Sequence, residues 1–139
     1  MAATGDDRGA LIRAYFDACN SGTPEEIAAH FTDEATIYDT NHRPVTTAAD
    51  IGRFWEKIRA QWQGAVWQVD RVVSDGDSAA IEWNMAGEGD RGRFVFRGSE
   101  HYGFDGDLIS EIRQYWNFDP DSFDTGLVDY PYGRPGEAI

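Results

Sequence analysis

Cysteine is almost absent. Cys19 stands alone, which excludes an intramolecular disulfide and any cysteine-based zinc cluster. Lysine is as scarce: Lys57 is the single Lys and every other basic residue is Arg. Positive charge as a whole is outnumbered, with Lys+Arg 12 against Asp+Glu 25 and a formal net charge of -13. That balance opposes binding to nucleic acid or to anionic membranes, and its plainest use is solubility. No long apolar run occurs and residues 1–9 are polar. The expectation is therefore neither a signal peptide nor a membrane span, and a cytoplasmic protein. The three histidines, His30, His42 and His101, lack H-x-H or HExxH spacing, so no metal site is expected. A phosphate loop, a dinucleotide fingerprint and a nucleophilic Ser or Cys constellation are also missing, which predicts chemistry without a cofactor.

What is present reads as one domain over residues 1–139. Apolar residues recur at helical spacing in "RGALIRAYFDACN", at Leu11, Ile12, Tyr15, Phe16 and Cys19. In "SGTPEEIAAHF", Thr23 suits a helix N-cap, Pro24 the first turn, and Glu25 and Glu26 the positive end of the helix dipole. "EATIYDT" is a short strand and "NHRPVTT" a loop. A third helix follows in "TAADIGRFWEKIRAQW", with Thr47 as its cap and Ile51, Phe54, Trp55, Ile58 and Trp62 on one side. After Gly64 the period changes to two. "AVWQVDRVVS", "SAAIEWNMAG", "RFVFRGSEHYGF" and "LISEIRQYWNF" are strands, two of the turns between them carrying Asp-Gly. Residues 119–139 form an extended tail. Helices first, then an antiparallel meander, predict an α+β fold: N-terminal helices on a strongly curved sheet that encloses a cavity.

Strand faces then single out two carboxylates. Phe94, Phe96, Gly98, Glu100, Tyr102 and Phe104 share one face of their strand, and Arg97, Ser99 and His101 point the other way. Glu100 is thus placed among aromatic rings, away from the side chains that would solvate it. Asp39 shares its strand face with Ala35 and Ile37. An apolar pocket raises a carboxyl pKa, and two acids tuned apart serve proton transfer near neutrality. The structural alternatives are an arginine partner or a bulge for Glu100, and an Asx turn ending the strand for Asp39.

The segments "AYFDACNSGTPEEIAAHFTDEATIYDT" and "SEHYGFDGDLISEIRQYWNFDP", with "AADIGRFW" between them, resemble the SnoaL-like and ketosteroid-isomerase-like branch of the NTF2-like superfamily. The resemblance implies a cone-shaped fold and a homodimer. It also implies Asp39 as general base, with Tyr15 and Glu100 as oxyanion donors and Trp116 beside the base. Two departures stand out. Phe31 and Trp55 occupy the positions of the tyrosines that support the oxyanion Tyr, and Glu replaces Asp at position 100. The last strand and tail also resemble the limonene-epoxide-hydrolase-like proteins. That relay fits less well, because its Asp, Asn and Tyr positions hold Gln114, Asp39 and Ile37.

Substrate-lining candidates are Trp116, Trp55, Phe31, Trp83 and Gln114, together with His42, which follows Asp39 by three residues in a loop placed to close the cavity mouth. The competing account of the aromatics is plain core, and of His42 a solvated loop. His30 reads as structural, His101 as exposed or at a subunit contact, and Cys19 as core. Three functions remain: an acid/base isomerase, cyclase or dehydratase acting on a small, largely apolar, oxygen-bearing carbonyl compound; a binding protein using the same cavity without catalysis; and an interaction domain that dimerises through its sheet. Val72, Ile109 and Tyr115 fall on the second sheet face, where a dimer would cover them.

Overall fold

The computed structural model describes residues 5–40, 42–119 and 121–132. Its elements run α1 (Gly5–Ser21), α2 (Pro24–Ala28), β1 (Phe31–Asp39), β2 (His42–Thr46), α3 (Ala48–Gln61), β3 (Val66–Asp75), β4 (Ser78–Gly89), β5 (Gly92–Asp105) and β6 (Leu108–Trp116). All three helices appear where the apolar spacing places them. In α1, Ile12, Tyr15, Phe16 and Cys19 are buried. The same helix is anchored by Arg8, whose guanidinium donates to the carbonyls of Gly76 (3.2 Å) and Gly106 (2.6 Å) in the two Asp-Gly turns. Thr23 and Glu26 close a reciprocal capping box at the start of α2. Thr47 caps α3 by accepting from the Asp50 amide at 3.3 Å. α2 and α3 approach so closely that a Cβ on Gly52 would stand 2.2 Å from the Pro24 carbonyl oxygen. Only glycine permits that crossing.

Six strands form one sheet in the order β2-β1-β6-β5-β4-β3. All neighbours are antiparallel except β1 and β6, which pair in parallel and so set a strand from the helical half beside the last strand of the meander. Register breaks at Asp70 in β3 and opposite Gly103 and Phe104 in β5 add twist. The helices pack into the concave side of this unclosed, curved sheet. No helix among the described residues is long and apolar enough to cross a membrane.

Three differences from the sequence expectations have local causes. The predicted loop at 41–47 contains a strand: residues 42–46 pair with β1, Ile37 opposite Val45 and Asp39 opposite His42. Pro44 is tolerated because β2 is an edge. Alternation along "LISEIRQYWNF" puts Leu108 on one face with Ile112, Gln114, Trp116 and Phe118, and that face fails at its start, since Leu108 is 40% exposed and Ile109 only 1%. Gly103 faces Glu111 but Phe104 faces Ile109, and that one-residue slip exchanges the faces. Ile109 therefore leaves the set of outer-face residues that argued for a dimer; Tyr115 stays exposed there and Val72 is half-buried. The strand also stops at Trp116, so Phe118 is a half-exposed ring packed against Trp62 at a centroid distance of 5.8 Å.

Where β6 stops, the tail takes its place. The Val95 amide donates to the Phe123 carbonyl (2.6 Å) and the Thr125 amide to the Val95 carbonyl (3.0 Å). Arg97 clamps the segment, pairing with Asp124, donating to the Thr125 carbonyl at 2.9 Å and lying 3.9 Å from the Tyr132 ring centre. The tail, expected to be extended, also turns within its described part: the Ser122 amide donates to the Asp119 carbonyl at 3.1 Å and the Tyr130 amide to the Leu127 carbonyl at 3.3 Å, with Asp129 at a φ of 62°; residues 133–139 lie outside the described residues.

Candidate active site

The concave face is a grid of side chains fixed by strand register. Glu100 of β5 is flanked by Ile81 of β4 and Gln114 of β6, and Gln114 in turn by Asp39 of β1. Asp39 and Glu100 thus stand in one row, two strand spacings or roughly 10 Å apart at the backbone, with Gln114 between them. Deeper in the cone the next row holds Tyr102, Ile112 and Ile37. Toward the mouth the row is Trp83, Gly98 and Trp116. A Cβ on Gly98 would lie 2.6 Å from Cζ2 of Trp83 and 2.8 Å from Cβ of Trp116. The missing side chain lets the two indoles meet, their ring centres 6.1 Å apart.

Glu100 is 2% exposed. Tyr102 donates its hydroxyl to Oε1 of Glu100 at 2.7 Å, which leaves Oε2 to carry a proton. Burial pushes the Glu100 carboxyl up to about 8, against the pull of the Tyr102 bond and with a further push from the Asp39 charge. At neutral pH it is a hydrogen-bond donor. Tyr15 is buried beside it, and burial raises its hydroxyl well above the ordinary phenol value. Tyr15 therefore stays protonated as well. Asp39 is half-buried at the strand end and accepts from Nε1 of Trp116 at 3.1 Å.

Two small spaces adjoin this row. The inner one, about 10 Å³, touches Tyr15, Cys19, Trp55, Trp83, Glu100 and Gln114. The outer one, about 60 Å³, touches Asp39 and all five tryptophans. Trp55, Trp67, Trp83 and Gln114 line both and form the partition between them. At about 15 Å³ for each water-sized occupant, the pair holds roughly five non-hydrogen atoms, far below the roughly 300–1,000 Å³ of a pocket for a drug-sized ligand. Trp55 Nε1 and Trp83 Nε1 are buried and have no hydrogen-bond partner among the described residues, and the buried Tyr15 Oη has only the weakly bonding Cys19 thiol beside it. All three belong to residues lining the inner space.

The structure therefore brings together Asp39, Glu100, Tyr15, Trp116, Trp55, Trp83 and Gln114. It does not bring in Phe31, which packs edge-on behind Tyr15 at 5.1 Å, or His42, which is exposed on β2 against the rim ring of Phe54 at 5.0 Å. Trp55, in the place of a supporting tyrosine, brings an N–H donor instead of a hydroxyl. Tyr102 is the functional neighbour that the sequence reading passed over, although its position two residues from Glu100 on the same strand face was the available signal. Asp70 is a second buried carboxyl that was not singled out. It sits at the β3 bulge, is bonded by Nδ2 of Asn84 at 2.7 Å and is raised by burial. Among the described residues no Arg or Lys lines either inner space, and no cluster of His, Cys, Asp and Glu could hold a metal ion.

A family model described as a SnoaL-like domain matches residues 12–112. A solved protein of unknown function with a cystatin-like fold, from Methylobium petroleophilum PM1, is 26% identical; the match covers 100% of this chain and 95% of that one, with a TM-score of 0.73. A protein of Kribbella flavida DSM 17836, provisionally named a ketosteroid isomerase, is 25% identical over 97% of this chain and 90% of its own, with a TM-score of 0.67. A Jannaschia sp. CCS1 protein provisionally named a SnoaL-like polyketide cyclase is 11% identical, covering 84% of this chain and 90% of its own at a TM-score of 0.69. No curated protein matches the chain.

Proposed function

The chain belongs to the SnoaL-like domain family, and from that premise we propose that it is a cofactor-independent acid/base enzyme moving a proton next to the carbonyl of a small molecule. The observation that carries this reading is that the unpartnered buried donors of Trp55 and Trp83, and the Tyr15 hydroxyl with only a weakly bonding thiol beside it, belong to residues that line one inner space together with the Glu100 carboxyl. Leaving a buried donor unpaired costs about 1–3 kcal/mol. An oxygen entering this space would satisfy several donors at once.

The reaction follows from the row. The substrate carbonyl oxygen sits among the inner donors, and its neighbouring carbon lies toward Asp39. Asp39 takes the proton from that carbon. The C–H electron pair becomes a carbon–carbon double bond, and charge moves onto the oxygen, where Glu100 and Tyr15 donate to it. Trp116 holds Oδ1 of Asp39 and orients the other oxygen toward the substrate. Protonated Asp39 then gives the proton to a different carbon, which gives isomerisation, or to a hydroxyl on the next carbon, whose C–O bond breaks to release water as the enolate electron pair forms the new double bond, which gives dehydration. The tight interior favours a compact substrate over a steroid or a polyketide.

Titrating Glu100 by carbon NMR tests the reading without a substrate. A midpoint near 8 is expected, and one near the ordinary 4.5 would remove the neutral donor and leave a binding protein in place of an enzyme.

Self-association is part of the same proposal. The outer sheet face presents His101 against Tyr115, rings 5.8 Å apart, with Tyr115 57% exposed. Pairing of two such faces would cover it. A mass in solution of one 15.6 kDa chain at micromolar concentration would contradict this.

A further inference from the structure

The outer space has a lining that proton transfer does not require. Every tryptophan of the chain, Trp55, Trp62, Trp67, Trp83 and Trp116, borders it, and Asp39 is its one charged side chain among the described residues. A core built for stability alone would close such a gap, because unfilled volume forfeits packing energy. Indole faces carry negative potential and attract cations, most strongly where water is excluded. A carboxylate beside them adds a full charge. The net charge of -13 raises the local concentration of cations around the whole molecule. By its size, the space holds about four non-hydrogen atoms.

We propose that the outer space recognises a small alkylammonium group, held by the indole rings and the Asp39 carboxylate. The proposal rests on the proton-transfer reading for the placing of the substrate's oxygen, and adds what the other end of the substrate carries. The substrate class is a compact carbonyl compound bearing an alkylated ammonium close to the carbonyl. Such a cation does two things here. It draws the molecule to Asp39, and it acidifies the C–H bonds of the carbon between nitrogen and carbonyl, the carbon that Asp39 must deprotonate. An ammonium has no lone pair to offer the donors on Trp55 and Trp83, so the carbonyl oxygen remains their partner and the molecule binds in one direction.

The probe is trimethylammonium chloride at pH 7, with 2-propanol as a neutral molecule of the same four-atom size. Tryptophan fluorescence reads the binding at constant ionic strength, with sodium chloride as the balance. Trimethylammonium should produce a saturable change, and 2-propanol should bind at least about tenfold more weakly. Asp39→Asn should weaken trimethylammonium by a similar factor and leave the alcohol unchanged. Trp62→Leu, at the half-buried rim, should weaken the cation selectively if Asp39→Asn perturbs the fold. Equal affinity for the two probes, an absent saturable response, or unaltered cation binding in a folded Asp39→Asn would each overturn the proposal. Trimethylammonium has no oxygen and undergoes no reaction, so this outcome is independent of whether Glu100 holds its proton.

Discussion

Asp39→Asn is expected to lower proton transfer at saturating substrate by roughly a hundredfold or more, beyond the roughly tenfold weaker binding that a cationic substrate suffers without the carboxylate. Asparagine keeps the shape, and its Oδ1 can still accept from Trp116 Nε1, which now bonds Asp39 at 3.1 Å. The base and its charge are removed together, and saturation separates the two effects. Deuterium uptake from heavy water at the carbon beside a carbonyl, followed by proton NMR on small amino ketones, measures the step without a full turnover assay. Glu100→Gln should lose less than Glu100→Ala, because the amide still donates toward the oxygen. Tyr15→Phe should cost less than the loss of Asp39, since Glu100 remains as a donor. It should also leave the free protein folded, because the Tyr15 hydroxyl has at most a weak contact with the Cys19 thiol to lose. Exchange in Asp39→Asn at the wild-type rate would exclude Asp39 as the base.

The pH dependence of stability should separate wild type from Glu100→Gln by several kcal/mol. Below pH 4.5, the ordinary value for this carboxyl, Glu100 is protonated in both the folded and the unfolded chain and costs nothing. As pH rises from 4.5 toward 8, the unfolded chain releases the proton while the folded chain keeps it. Stability present at low pH is therefore lost at about 1.4 kcal/mol per pH unit, on the order of 5 kcal/mol in all, until the folded carboxyl also ionises. Glutamine cannot titrate, so this contribution vanishes in the variant. Urea midpoints of both proteins across this range measure the difference. Parallel curves would show that Glu100 is ionised in the folded protein. By the same logic activity should fall above pH about 8, where an ionised Glu100 repels the developing oxyanion.

Helices and strand faces were legible because burial repeats at fixed periods. Glu100 stands out as soon as "FVFRGSEHYGF" is sorted by parity, and the buried face found for β5 is the one so predicted. Two kinds of feature escape such sorting. Slips of register, as at Leu108 and Ile109, are set by how neighbouring strands meet, and parity along one strand does not contain them. Partnerships between distant segments are the second kind. The loop 41–47 gains a strand only because β1 offers an edge, and the parallel union of β1 with β6 follows from where the helices leave β1. The size of the interior was also hidden. Apolar aromatics predicted a lining, but whether five indoles leave room or fill it depends on their packing, and Gly98 decides much of that by letting Trp83 and Trp116 come together. Tyr102 was legible as a residue of the same strand face as Glu100. Its role emerged only with the 2.7 Å bond to Glu100.

The parallel seam between β1 and β6 also governs when the site exists during synthesis and folding. Asp39 and its partner Trp116 are 77 residues apart in the chain, and Gln114 on the same late strand separates the two carboxyls. A nascent chain that has emerged as far as β5 already contains Tyr15, Asp39 and Glu100, yet it lacks the strand that aligns them. Closing a loop of that length is entropically slow. The row of Asp39, Gln114 and Glu100 cannot be completed before β6 has emerged, and a partly made chain carries the acids without the strand that aligns them.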